Sequence, residues 1–294
     1  LSGTITIDGV LAGGGHFASV STGTLKVTGP VNSAAQPVSC RLGTVIFSGG
    51  GTYANFTLNQ GTAKLGANNG LSTSATAEIA ASAAANFDLN GYNQTLVGIT
   101  RTTGNGAVIG NGSETSNSTL TTTGTSTYAG NIANVIGTPT TPKTTSLVVN
   151  SGNLTLTGGF TAQNITVNSG GILTIGAGGG DGIWPASNLI TINSGGTLKF
   201  TGDNRIKNDT VIDIPSGAGF DMNGKTDVVG HIKGAGSITN LTNTLTVSLP
   251  AVGSPAEFSG TINGAAAAVN SLVLRCDGTG ASAASTLILS GANT

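Results

Sequence analysis

One phrase of thirteen residues occurs twice in this chain of 294 residues. FDLNGYNQTLVGI runs from Phe87 to Ile99, and FDMNGKTDVVGHI runs from Phe220 to Ile232, at an offset of 133 residues. The Phe, the Asp, the Asn-Gly pair and the closing Ile are kept, whereas most residues between them change. Such a repeat predicts that the chain builds the same structural unit more than once.

Other segments match at a shorter and a longer spacing. TVNSGGILTI at Thr166 and TINSGGTLKF at Thr191 match at an offset of 25 residues, about the length of one solenoid coil. NLTLTG at Asn153 matches TLILSG at Thr286 at the longer offset of 133. We therefore predict a single continuous β-solenoid over residues 1–294, with internal modules at approximately 1–29 (partial), 30–160 and 161–294.

Short runs of alternating residues fill these modules. TITIDG at Thr4, TLKVTG at Thr24 and TVIFSGG at Thr44 each place Ile, Leu, Val or Phe between polar residues, and Gly, Ser or Asn then turns the chain. Helical periodicity is nearly absent, and the Ala-rich segment 75–85 is the only one that also suits a helix. The pattern predicts an all-β fold, a right-handed parallel β-solenoid (β-helix), shaped as an elongated rod on the order of 60 Å long.

Composition excludes several classes of function. Charged residues make up 8% of the chain, and 11 Lys and Arg face 12 Asp and Glu, so no basic surface is expected for nucleic acid. No apolar stretch approaches the roughly 20 residues of a membrane helix, so we expect no membrane insertion of this segment. His16 and His231 have no acidic or cysteine partner at the spacing of metal ligands, so we expect no metal and no cofactor.

The final segments resemble a known family. TLILSGANT (Thr286 to Thr294), EFSGTI (Glu257 to Ile262) and FDMNGKTDVVGHIKGAGSITN (Phe220 to Asn240) resemble the autotransporter-associated β-strand repeat of bacterial surface proteins. The upstream segment from Phe87 to Asn111 resembles the same block. The resemblance implies a right-handed β-helical passenger segment on a bacterial cell surface or secreted from it. It implies no shared catalytic residues.

One cluster of charged residues qualifies as a candidate site. A β-helical polysaccharide lyase or hydrolase needs carboxylates or basic residues on one face, and charged turns need the same residue types to cap backbone groups. Aromatic residues, which stack on sugars, make up 4% of the chain with one Trp, and this favours the turn. The cluster comprises Asp203, Arg205, Lys207 and Asp209, with Asp181 and Trp184 about one coil earlier.

The repeated phrases and the cysteines give two further expectations. Asn90-Gly91 and Asn223-Gly224 are predicted corners of the repeat, where the chain needs backbone angles that Gly and Asn tolerate. Cys40 and Cys276 are 236 residues apart, about 50 Å along a rod, whereas a disulfide needs Cα atoms within about 7 Å. The alternatives are a disulfide between subunits of a head-to-tail fibre and two buried thiols.

These patterns favour a non-catalytic structural or adhesive extracellular protein that forms or spaces a surface fibre. Self-association is the expected partnership, with cell-surface glycans or a host or matrix surface as further partners. Short polar side chains and few charges suit close packing between copies. The alternatives are a polysaccharide lyase or hydrolase and an ice-binding solenoid, which would need Thr-X-Thr in register on successive coils.

Overall fold

The computed structural model describes residues 3–20, 22–33, 36–80, 85–101, 106–176, 183, 185–249, 256–264, 272–276 and 287–291. Within these ranges the chain is all-β, with 35 strands and no helix. Two compact units are present. Unit 1 consists of Leu1–Val148 and Gly158–Gln163, and unit 2 consists of Val149–Thr157 and Asn164–Thr294.

The strands are short, as the alternating runs predict. The first eighteen are β1 (Thr4–Ile7), β2 (Leu11–Ala12), β3 (Phe17–Ser19), β4 (Thr24–Val27), β5 (Val31–Asn32), β6 (Val38–Cys40), β7 (Thr44–Phe47), β8 (Gly51–Thr52), β9 (Asn55–Leu58), β10 (Gly61–Leu65), β11 (Thr76–Ile79), β12 (Ala85–Asp88), β13 (Gln94–Leu96), β14 (Gly98–Thr100), β15 (Val108–Asn111), β16 (Ser118–Thr122), β17 (Ser126–Tyr128) and β18 (Asn131–Val135).

The remaining strands complete unit 1 and form unit 2. They are β19 (Thr145–Val149), β20 (Gly152–Leu156), β21 (Phe160–Thr161), β22 (Asn164–Val167), β23 (Gly171–Ile175), β24 (Leu189–Ile192), β25 (Thr197–Phe200), β26 (Val211–Asp213), β27 (Gly219–Asp221), β28 (Asp227–Val229), β29 (His231–Lys233), β30 (Ser237–Thr239), β31 (Leu245–Leu249), β32 (Ala256–Phe258), β33 (Thr261–Ile262), β34 (Leu272–Cys276) and β35 (Leu287–Leu289).

Unit 1 is a parallel β-solenoid in which each coil adds one strand to every face. Its largest sheet has the order β1-β4-β7-β10-β12-β15-β18-β21, and β14-β11-β9-β6-β3 and β2-β5-β8 form other faces. Alternate residues point inward, so register partners stack into a continuous apolar ladder. The ladder of the largest sheet contains Ile5, Leu25, Val45, Ala63, Phe87, Ile109, Ile132 and Phe160.

Unit 2 is built in the same way. Its sheets include β20-β23-β25-β27-β30-β33 and β28-β31-β34, and β22, β24, β26 and β29 form a third face. The inward ladder of the first of these sheets contains Leu154, Leu173, Leu198, Phe220, Ile238 and Ile262. The aromatic rings of Phe200 and Phe220 pack edge to face with centroids 5.1 Å apart. Burial of these ladders is the main stabilising contribution in each unit.

The fold class and the coil length predicted from the sequence are confirmed. Thr166 and Thr191 are register partners on β22 and β24, so the offset of 25 residues is one coil. The segment 75–85, which also suited a helix, contains β11, and β12 begins at Ala85. The right hand of the coil stays a prediction.

Candidate functional site

The charged residues singled out in the sequence lie in one turn of unit 2, before β26. Asp203 is exposed, and its Oδ1 accepts a hydrogen bond of 2.8 Å from the backbone N–H of Thr226. Arg205 is half-buried, and its carbonyl accepts a hydrogen bond of 2.7 Å from the N–H of Ile183. Asp181 and Trp184, the other predicted members of the cluster, lie outside the described residues. We call residues 203–209 the charged turn.

A second network ties the end of the charged turn to the preceding coil. The Nζ of Lys207 lies 2.8 Å from Oδ2 of Asp209 and donates to Oδ1 of Asn188 at 3.0 Å. The Nδ2 of Asn188 donates to the same Oδ2 of Asp209 at 3.1 Å. Because the amine already donates to two oxygens, these groups act as a polar clamp on the turn rather than as a poised nucleophile.

The structure also reveals a buried carboxylate that the sequence analysis did not select. Asp227 is 0% exposed and begins β28, behind the charged turn. Its Oδ2 accepts from the N–H groups of Arg205 at 2.7 Å and Ile206 at 3.4 Å, and its Oδ1 accepts from the N–H of Val228 at 2.8 Å. One carboxylate therefore fixes the backbone from which the charged turn projects.

A signal for Asp227 was present in the repeated phrase. Gln94 occupies the same place in FDLNGYNQ as Asp227 does in FDMNGKTD, and both interrupt an otherwise apolar set of inward positions. Gln94 is 1% exposed and also binds the preceding coil. Its Oε1 accepts from the N–H of Leu71 at 3.0 Å, and its Nε2 donates to the carbonyl of Leu71 at 3.2 Å.

The predicted corners have the backbone geometry of left-handed turns. Asn90 and Asn223 have φ of 50° and 47°, and Gly91 and Gly224 follow with φ of 83° and 68°. In each corner the Asp two residues earlier accepts from the Asn N–H: Asp88 from Asn90, and Asp221 from Asn223, both at 2.8 Å. These Asx turns hold the chain in a conformation that most residues avoid.

Cys40 is an inward-facing residue of β6 and is 0% exposed. Its Sγ lies 3.7 Å from the carbonyl oxygens of Gln60 and Thr62, and burial raises the pKa of the thiol to about 11. The thiol is free in this chain. A disulfide between subunits would require this coil to open, so the position suits the alternative of a small buried side chain. The side chain of Cys276 lies outside the described part of the structure.

The exposed apolar side chains are concentrated in two places. Among the described residues, six large hydrophobic side chains are exposed, and they are Ile5, Val10, Val20, Ile172, Ile288 and Leu289. The first three, at 61–67% exposure, lie on the coil that contains β1, β2 and β3, each of which is an edge strand of its sheet. The last two, at 43% and 37%, lie on β35. We call these regions the first-coil surface and the β35 surface.

Comparisons with protein-family models, curated proteins and solved structures found no significant match. The resemblance to the autotransporter-associated repeat therefore rests on the quoted segments alone. Within the described ranges, no helix has the length and hydrophobicity needed to cross a membrane. No set of three His, Cys, Asp or Glu side chains in the same ranges is arranged to hold a metal ion.

Proposed function

We propose that this protein is a non-catalytic structural or adhesive component of an extracellular or bacterial cell-surface fibre. In this proposal, copies of the chain join through their β-solenoid coils, with the first-coil surface of one copy against the β35 surface of another. The observation that carries the proposal is that five of the six exposed large hydrophobic side chains in the described residues lie on these two surfaces.

The first-coil surface has the chemistry of an unfilled solenoid contact. The outer edge of β1 presents backbone donors and acceptors, and Ile5 is 65% exposed although its ladder partners in the unit core are buried. Exposed strand edges are templates for pairing with another chain. A second copy offers the same pattern of alternating residues that β4 already offers to β1 in parallel register.

The proposed contact joins two different surfaces, and this determines the kind of assembly. A contact between unlike surfaces leaves one free surface of each kind on every pair, so addition continues and an open filament forms unless a ring closes. The low charge of the chain, with a net charge of −1, opposes this assembly little. Short Thr and Asn side chains likewise bury with a small loss of side-chain entropy.

The experiment is sedimentation velocity on the wild type and on Ile5→Lys. We expect the wild type to form species larger than the monomer as concentration rises, and Ile5→Lys to remain monomeric because a Lys on the edge strand opposes pairing. Thr73→Lys is the matched control, since Thr73 is exposed on a central coil of unit 1. A wild type that is monomeric at every concentration, or an Ile5→Lys variant that assembles normally, would contradict the proposal.

Ice binding is a second candidate because one row of threonines is in register. Thr4, Thr24, Thr44 and Thr62 stack on four successive coils of the largest sheet of unit 1. The neighbouring outward row contains Thr6, Lys26, Ile46 and Lys64, so the paired Thr-X-Thr surface occurs on the first of these coils alone. Thermal hysteresis that is lost in Thr24→Leu and Thr44→Leu would favour this function over the fibre.

A further inference from the structure

Asp227 is a titratable group placed where the solenoid normally has an apolar residue. Its register partner on the following coil is Leu245, a buried residue of the inward ladder. A carboxylate with no exposed surface loses its hydration, and this loss penalises the ionised form. The residue is therefore positioned to respond to protons rather than only to fill the core.

The bonds that Asp227 accepts connect it to the charged turn. Arg205 and Ile206 donate to one oxygen, and Val228 donates to the other. Any change in the charge or position of this carboxylate changes three backbone hydrogen bonds at once. Two of the three donors belong to the turn that carries Asp203, Lys207 and Asp209.

The equivalent position of unit 1 provides an internal comparison. Gln94 binds Leu71 through both its oxygen and its nitrogen, and the nitrogen also donates to the carbonyl of Thr95 at 2.7 Å. An amide keeps these donors and acceptors at every physiological pH. The same place in the repeat thus holds a pH-insensitive clamp in unit 1 and an ionisable one in unit 2.

The charges around Asp227 act mainly from the preceding coil. Asp203 and Arg205 lie there, the partner on the following coil is the apolar Leu245, and Lys225 and His231 lie on the same segment as Asp227. Burial raises the pKa of the Asp227 carboxyl to about 6, and the negative charge of Asp203 acts in the same direction. The three backbone N–H groups oppose this rise without cancelling it.

We propose that Asp227 is a proton-operated latch of unit 2, which holds the charged turn closed when it is protonated and loosens it when it is ionised. Because its folded-state pKa lies above the ordinary value of 3.8, the stabilising contribution is complete below about pH 4 and is lost as the pH rises through 6. At neutral pH the buried charge favours openings that admit water to the carboxylate. The latch lies within unit 2 and does not depend on self-association.

Hydrogen exchange tests this latch at individual amides. We expect the protection factors of the Arg205, Ile206 and Val228 amides, corrected for intrinsic exchange, to be about tenfold larger at pH 5 than at pH 7. The Leu71 amide, which Gln94 holds in unit 1, is the internal control and should show no such change. Equal protection at the two pH values, or greater protection at pH 7, would overturn the proposal.

Two variants separate the latch from a general effect of pH. Asp227→Asn removes the titration and should abolish the tenfold change at these amides. If Asp227→Asn does not fold, Asp203→Asn serves instead, because removal of the neighbouring charge should move the midpoint of the change to lower pH. A midpoint that is unchanged or higher in Asp203→Asn would also contradict the latch.

Discussion

The two copies of the repeated phrase form the same corner with different supports. In unit 1, Lys64 is the register partner of Asp88, and its Nζ lies 3.4 Å from Oδ2. In unit 2, Lys199 is the register partner of Asp221, and the corresponding distance is 3.3 Å. The Phe, the Asx turn and the ion pair are therefore common to both corners.

The differences lie in how each corner is covered and clamped. The Asp88 side chain is 7% exposed, whereas that of Asp221 is 17% exposed. Asp88 also accepts a hydrogen bond of 2.7 Å from the N–H of Gly112, and the corresponding oxygen of Asp221 accepts from the side chain of Asn240 at 2.8 Å. The comparison teaches that the repeat preserves the turn itself, while the neighbouring coil supplies different partners.

The largest expected effect comes from the aromatic residue that both corners share. Phe87→Ala and Phe220→Ala should each lower the free energy of unfolding by about 3–5 kcal/mol, because both rings are fully buried in the ladder. Urea unfolding measures the loss. Phe→Leu at each position is the control and should cost clearly less, since Leu fills much of the same space. A loss below about 1 kcal/mol for either Ala variant would show that its ring does not belong to the core.

The next effect exchanges the buried clamps. Gln94→Glu should lower the free energy of unfolding by about 2–3 kcal/mol at pH 7, because it buries a charge and removes the donors to Leu71 and Thr95. The loss should shrink as the pH falls to 4, since a buried Glu has a raised pKa and becomes neutral. Asp227→Asn should show the reverse, with a pH dependence smaller than that of the wild type. A loss in Gln94→Glu that is the same at pH 4 and pH 7 would contradict an inward clamp.

A smaller effect distinguishes the glycines of the two corners. A Cβ at Gly91 would lie 3.1 Å from Cβ of Ser113 and 3.2 Å from Cβ of Ser116, whereas a Cβ at Gly224 would meet Oγ1 of Thr242 at 2.8 Å, an atom that can rotate away. Both positions have positive φ. Gly91→Ala should therefore cost about 2 kcal/mol and Gly224→Ala about 1 kcal/mol by thermal unfolding. Equal costs would mean that the backbone angle, and not the neighbouring coil, determines the difference.

The smallest effect concerns the ion pairs. Lys64→Met should cost up to about 1 kcal/mol and Lys199→Met less, because Asp88 is more buried than Asp221. Both losses should diminish in 1 M NaCl, where exposed charges are screened. Lys26→Met, at an outward position of the same row as Lys64, controls for the loss of a surface lysine. An Lys199→Met loss larger than that of Lys64→Met would reverse the order that burial predicts.

The strands and the coil could be predicted because they depend on local alternation. TITI, TLKV and TVIF became β1, β4 and β7, and the offset between Thr166 and Thr191 became one coil. Asp227 was missed because a single polar residue before a short strand does not show which way its side chain points. The partners of Asp203 and Lys207 were also beyond the sequence, since the spacing of register partners varies from coil to coil, for example from 18 residues between Thr44 and Thr62 to 25 between Thr166 and Thr191.

The proposed joining of unlike surfaces is tested most directly by mixing two blocked variants. Ile5→Lys blocks the first-coil surface, and Ile288→Lys blocks the β35 surface, so each variant alone should sediment as a monomer. An equimolar mixture should form a dimer and nothing larger, because each variant retains one competent surface of the opposite kind. A mixture that remains monomeric, or one that forms long assemblies, would contradict contact between these two surfaces.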